Sequence, residues 1–168
     1  MPRPEKDEYY LKIARAVGKR SPCKRRKFGS IIVKNDAIVS TGYNGPPRGS
    51  TNCKEGCLKN EANAPRYGRY DLCPAVHSEE NAVVNAARQG TQIKGGKLYI
   101  IGVDPETEER TKSKPCSRCK RVLINAGIKE MITKNKEGKI IKQYPEEWAE
   151  KEKTEYAEKV KKAKGDNK

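Results

Sequence analysis

At 168 residues the chain is long enough for one domain with a buried core. Its 37 Lys and Arg against 22 Asp and Glu leave a formal net charge of +15. That is either a patch that attracts nucleotides or nucleic acid, or the solvated Lys-rich surface of a stable protein. No apolar run reaches the roughly 20 residues of a membrane helix. Met1-Pro2-Arg3-Pro4-Glu5 carries no apolar h-region, so neither a signal peptide nor a membrane partner is expected. A cytoplasmic, reducing location follows, in which six cysteines point to metal before disulfides.

Tyr9, Tyr10, Ile13, Ala14 and Val17 recur at helical spacing behind Asp7 and Glu8. They predict a helix over 6–19, stopped by Gly18 and Ser21-Pro22. Cys23 follows in the basic loop Lys24-Arg25-Arg26-Lys27. Phe28 to Val33 reads as a strand, Asn35-Asp36 as a tight turn, and Ala37 to Tyr43 as the hairpin partner. The unbroken run Ile31-Ile32-Val33 suits a strand covered on both faces.

Gly42 to Gly49 is loop by composition, with glycines that let the backbone approach another group closely. Asn44 is able to hydrogen-bond a ligand there, or simply its own backbone. Arg48 is able to hold a phosphate. Residues 50–72 are irregular and polar, too long for a plain connection, so something must hold them.

A second helix is expected from His77 to Arg88, with the stripe Ala82, Val83, Ala86, Ala87 and a stop at Gly90. Lys97 to Val103 reads as a strand and Asp104 to Lys114 as a charged loop. Pro115 opens a third helix through Val122, Leu123 and Ala126. Ile128 to Thr133 and Lys139 to Tyr144 read as further strands. Alternating strands and helices argue an α/β fold, a sheet with helices on its faces. The chain divides into a main domain over 1–145 and a Glu/Lys-rich helix and tail over 146–168. Trp148, Tyr156 and Val160 are spaced to lie on one face and dock that helix, and Lys164 to Lys168 are expected to fray.

Two stretches carry the chemistry. One is Cys73-Pro74-Ala75-Val76-His77-Ser78-Glu79; the other is Pro115-Cys116-Ser117-Arg118-Cys119. His77 is the chain's one histidine. An imidazole with two thiolates three apart makes the three-ligand set of a catalytic zinc, whose fourth position is left for water. Glu79 is then a free carboxylate, available to move the water's protons. Each half precedes a helical run, where free N–H groups and the dipole stabilise thiolates. Cys53 and Cys57 form a second chelating pair that, with Cys23 and Cys73, makes four thiolates, enough for a closed structural zinc site. Ordinary buried cysteines are the other reading of these four.

His-x-Glu followed by Pro-Cys-x-x-Cys is the signature of the zinc nucleobase deaminases. With Ser21-Pro22-Cys23, the Gly42-to-Gly49 loop, Asn52-Cys53, Gly56-Cys57, Leu72-Cys73, Asn81-Ala82 and Ile124-Asn125-Ala126-Gly127-Ile128, the chain resembles the deoxycytidylate (dCMP) deaminases from about Tyr9 to Ile132. The resemblance implies a three-layer α/β/α fold around a mixed sheet of about five strands. It implies hydrolytic deamination of dCMP to dUMP, feeding thymidylate synthesis. It also implies an oligomer, often a hexamer, with dCTP and dTTP as possible effectors. It assigns zinc to His77, Cys116 and Cys119, the proton shuttle to Glu79, a second zinc to Cys23, Cys53, Cys57 and Cys73, and substrate contact to Asn44. Three features depart from the family. Ser78 stands where alanine is usual, Phe28 replaces a common valine, and the loop Asp104 to Lys114 is long.

Zinc and Glu79 act on the ring alone, so selection for a nucleotide falls to Asn44 at the sugar and to Arg26 or Arg48 at the phosphate. Two other classes share parts of the pattern. A nucleic-acid (tRNA adenosine) deaminase fits the charge but not the Gly42-to-Gly49 loop. A non-enzymatic zinc-binding module leaves Glu79 beside an open site without a purpose.

Overall fold

A computed structural model describes residues 2–53, 55–65 and 68–165. Helix α1 spans Lys6–Gly18, and strands β1 and β2 span Lys27–Lys34 and Ala37–Tyr43. After the short α2 (Leu58–Glu61) and a 3-10 turn at Tyr70–Leu72 come α3 (Ser78–Arg88) and β3 (Lys97–Val103). Then follow β4 (Arg110–Thr111), α4 (Ser117–Asn125), β5 (Glu130–Lys134), β6 (Ile140–Gln143) and α5 (Pro145–Gly165). The strand order is β2-β1-β3-β5-β6, with β4 paired to β3. Only β3 and β5 run parallel among the described pairs, joined across α4; the rest are antiparallel, so the sheet is mixed.

The sheet divides its side chains by the period of two. Ile31, Val33, Tyr99, Ile101, Val103 and Ile132 pack under Tyr10, Leu11 and Ala14 of α1. Ile32, Leu98, Ile100 and Met131 point the other way, onto Ala82 of α3 and Leu123 of α4. The central strands are therefore apolar on both faces, and the layers are α/β/α. Each fully buried Ile or Leu contributes roughly 1.5–3 kcal/mol of hydrophobic free energy.

The β1–β2 turn holds Asn35 and Asp36 at φ 49 and 62, the pair of positive values that a two-residue hairpin of right-handed twist requires. Asp36 then accepts from Lys6 Nζ at 2.6 Å and Tyr10 Oη at 3.1 Å, tying α1 to the hairpin.

Glycines set the layer spacing. A Cβ on Gly29 would stand 2.0 Å from the Ala14 carbonyl oxygen, so α1 lies directly on β1. On the other face α3 is held to β2 by three hydrogen bonds. Ser40 Oγ donates to the Ala82 carbonyl (2.6 Å), Asn81 Nδ2 to that of Tyr43 (2.7 Å), and Asn85 Nδ2 to that of Thr41 (2.7 Å).

Three details differ from the sequence reading. Pro115 does not open a helix: Cys116 is the N-cap and its Sγ accepts from the Cys119 N–H, so α4 starts at Ser117. The segment Asp104 to Lys114 is not plain loop, because Arg110 and Thr111 add a two-residue strand to the edge of β3. In α5 Pro145 is buried and Trp148 packs against the core, under the Lys120 ammonium at 5.3 Å. Tyr156 is 67% exposed and does not dock. Lys164 and Gly165 continue the helix; Asp166 to Lys168 lie outside the described residues.

Candidate active site

Helices α3 and α4 pack side by side on one face of the sheet, and each begins with a chelating residue. His77 is the N-cap of α3 and Cys116 that of α4, both in extended backbone. Cys119 follows one turn into α4, on the face of Cys116. His77 Nδ1 lies 3.3 Å from Cys119 Sγ and 3.5 Å from Cys116 Sγ. Among the described residues this is the one set of three ligand atoms within 4.8 Å of one another. A tetrahedral ion with bonds of about 2.0–2.3 Å spaces its ligands by about 3.5 Å, and a soft two-sulfur, one-nitrogen set suits zinc. The donors present therefore fit the ion that the sequence calls for.

The Cys119 thiol donates to the Cys116 sulfur, and with His77 this pulls the Cys116 pKa down to about 3. The same bond, with burial, pushes Cys119 far above its ordinary value. The Cys116 thiolate in turn raises His77. The two sulfurs thus share one proton, which a divalent metal would displace. Glu79 sits beside them, 5% exposed, and burial raises its carboxyl pKa. Burial favours the protonated form of such a carboxyl, the condition for a group that carries a proton during a reaction.

Glu79, His77 and Cys116 line one cleft of about 230 Å³. Phe28 and Tyr70 supply aromatic walls. Arg118 stacks on the Tyr70 ring at 5.3 Å and pairs with Glu80 at 3.1 Å, which holds the ring beside the imidazole at a centroid distance of 6.0 Å. Arg25, Arg26, Lys59, Lys112 and Lys114 make the rest of the lining strongly cationic.

Asn44 does not bond its own turn; its amide is held by the backbone of the segment leading into β1. Its Oδ1 accepts the Phe28 N–H at 2.7 Å and its Nδ2 donates to the Arg26 carbonyl at 2.9 Å, while the residue lines the cleft. Arg26 also lines the cleft. Its Nη1 donates to Asp104 Oδ2 at 3.1 Å, and its buried Nε has no hydrogen-bond partner among the described residues. Arg48 is elsewhere: its Nη2 donates to Asn85 Oδ1 at 2.6 Å, on the surface of α3, and it is not part of the cleft wall. The turn closed by the Ser50 N–H on the Pro47 carbonyl aims it there.

The other four cysteines form no disulfide and are half-buried. Cys23 and Cys73 border the cleft. The Cys53 thiol is raised by burial and then by Cys23, Cys57 and Cys73, so the four sulfurs share one neighbourhood. Three of them do not come within 4.8 Å of one another as the catalytic trio does.

Sequence reasoning missed Tyr70, Lys112 and Lys114. No spacing rule connects them to the zinc motif. Pairing of Arg110–Thr111 with Gly102–Val103 is what brings 112 and 114 to the cleft, with Ser113 Oγ accepting the Gly102 N–H at 2.8 Å.

Residues 4–135 match the family model of the cytidine and deoxycytidylate deaminase zinc-binding region. The deoxycytidylate deaminase of Schizosaccharomyces pombe is 35% identical over 131 residues, which cover 77% of this chain but 37% of the yeast protein. That of Mycobacterium phage D29 is 34% identical over 136 residues, covering 79% of this chain and 96% of the phage protein. The dCMP deaminase of cyanophage S-TIM5, solved in complex with dCMP and dUMP, superposes with a TM-score of 0.61 at 31% identity, over 80% of this chain and 85% of that one. The chain belongs to the cytidine and deoxycytidylate deaminase family.

Proposed function

We propose that this protein deaminates dCMP to dUMP and ammonia, supplying dUMP for thymidylate synthesis. The observation that carries the proposal is a buried carboxyl, Glu79, standing beside the His77–Cys116–Cys119 trio in a cationic cleft. Deoxycytidylate deaminases among its relatives, with 96% of the phage D29 protein covered, support the choice of substrate. His77 Nδ1, Cys116 Sγ and Cys119 Sγ would hold a zinc ion, whose Lewis acidity lowers the pKa of a bound water toward ~7. Glu79 takes a proton from the attacking water and delivers it to ring N3. It then takes the second and gives it to the amine as the C4–N bond breaks, so one carboxyl serves as base and then acid. Phe28 and Tyr70 flank the ring, and Asn44, fixed by its two backbone bonds, keeps an amide hydrogen for the sugar. Arg26 with Lys112 and Lys114 meets the 5′-phosphate.

In the same reading Cys23, Cys53, Cys57 and Cys73 close around a second, structural zinc that ties residues 50–72 to the body. Residues 1–145 are the catalytic unit and α5 an appended helix. The enzyme works in the cytoplasm as an oligomer, a hexamer by the family's habit, open to control by dCTP and dTTP. No described helix is long and apolar enough to cross a membrane.

Ammonia release from dCMP, deoxycytidine, cytidine and a folded tRNA tests the assignment. Turnover of dCMP well above the others is expected. Deamination of the tRNA alone would move the protein to the nucleic-acid deaminases, and no turnover of any of the four by zinc-loaded protein would make it a binding module.

A further inference from the structure

The residue between His77 and Glu79 is a serine, and it is fully buried. A hydroxyl at such a position costs stability unless both its proton and its lone pairs are used. Ser78 uses them in one direction. Its Oγ donates to Glu79 Oε2 at 3.0 Å and accepts from Ser30 Oγ at 2.9 Å. The Ser78 proton is thus committed to Glu79, and Ser30 supplies the donor that Ser78 receives.

Ser30 is itself fully buried, at the centre of β1, with backbone partners on both sides: Gly42 of β2 and Ile100 of β3. It shares the sheet face of Ile32, which looks onto α3. The chain Ser30–Ser78–Glu79 therefore runs from a strand paired on both sides to a carboxyl oxygen in the cleft. An alanine at 78 has no such donor, and Glu79 would keep its rotamer by packing and its own backbone N–H.

We propose that Ser78, backed by Ser30, is a positioning residue for the deamination. It fixes Glu79 through Oε2 and leaves Oε1 as the oxygen that exchanges protons with water and substrate. The proposal rests on the reading of Glu79 as the proton carrier. It concerns the chemical step, because Ser78, although it lines the cleft, spends its proton on Glu79, and Ser30 spends its own on Ser78.

The test is steady-state kinetics on dCMP with zinc content measured for each variant: Ser78→Ala, Ser30→Ala, the double variant and Glu79→Gln. Ser78→Ala is expected to lower kcat by about 10-fold, the worth of one hydrogen bond to a charged group. KM and zinc per chain stay unchanged. Ser30→Ala moves kcat the same way by less, and the double variant is no slower than Ser78→Ala, because the two act as one unit. If Ser78→Ala does not fold, Ser30→Ala alone carries the test by the same kcat-against-KM split. Wild-type kcat in the serine variants, a change confined to KM or melting temperature, or losses that multiply in the double variant would each overturn the relay while leaving the function in place, provided that Glu79→Gln is inactive. A fully active Glu79→Gln would overturn the reading of the site itself.

Discussion

A Cβ on Gly42 would lie 2.4 Å from the Ser78 carbonyl oxygen, so β2 and the first turn of α3 meet backbone to backbone. The same Cβ would also stand 2.4 Å from the Ala82 nitrogen. Both atoms belong to helix backbone and cannot swing away. His77 and Glu79 flank Ser78, so this contact sets the height of the site above the sheet.

Gly42→Ala must therefore lift α3. Overpacking of this kind costs about 1–3 kcal/mol, and here the displaced turn carries the chemistry. Urea unfolding is expected to show that loss, together with a fall in kcat and in zinc retention. Gly90 is the control: its φ of +64 strains an alanine, but nothing lies within 4 Å. Gly90→Ala should cost about 1 kcal/mol and leave kcat alone. Unchanged stability and turnover in Gly42→Ala would mean that the two layers do not touch there.

Metal binding should release protons in a pH-dependent way. Without metal, Cys116 is a thiolate down to about pH 3, whereas Cys119 keeps its proton far above neutrality. A metal must displace the Cys119 proton at any ordinary pH. His77 binds only when neutral, and its pKa is raised by Cys116, so a further proton is displaced once pH falls through that raised value. Release is expected at about one proton per ion in mild alkali, rising toward two in mild acid, and affinity should weaken as pH falls. Calorimetric zinc titrations in buffers of different ionisation enthalpy, on a Cys53→Ser/Cys57→Ser background, read this directly. Proton-neutral binding would show that the trio does not take the ion.

Much of this was legible because it is local. The bounds of β2 and β3 follow from apolar runs between turn residues, and Ile31-Ile32-Val33 already implied two covered faces. The chelating trio was legible because two short motifs exhaust the residue types they need. What failed was non-local or too short to show a period. Two residues of β4 carry no pattern, yet they bring Lys112 and Lys114 to the cleft. The start of α4 turned on a thiolate cap, which proline statistics do not foresee. Arg48, one of two candidates for the phosphate, bonds Asn85 and does not line the cleft of this chain, because the direction of a turn is not written in its composition.

The cysteine loop predicts a metal count. Seven ligand-type residues divide into an open trio and a closed quartet, so elemental analysis should find two zinc ions per chain. Cys57→Ser should reduce this to one and mainly lower the melting temperature, since metal binding there contributes folding free energy. One ion in the wild-type chain would remove the quartet as a zinc site and leave its cysteines as packing residues.

Substrate selection should separate the two arginines. Arg26 lines the cleft, held by Asp104 with its buried Nε still without a partner, whereas Arg48 is engaged with Asn85 on the far surface of α3. A cationic site built for a phosphate rejects a ligand lacking it, because its charges then stay unpaired. The kcat/KM for deoxycytidine is therefore expected to fall well below that for dCMP. Truncating Arg26 to Ala removes a charge-assisted hydrogen bond and should lower kcat/KM for dCMP by about 10–100-fold. It should change deoxycytidine little, because that substrate never used the group. Lys112→Ala and Lys114→Ala should act in the same direction by less, as flexible point charges hold a phosphate with weaker geometry. Arg48→Ala should leave the ratio of the two substrates unchanged. Equal kcat/KM for dCMP and deoxycytidine in the wild type would make this a nucleoside deaminase. A selective loss of dCMP in Arg48→Ala would place the phosphate contact outside the cleft of a single chain, at a junction between subunits.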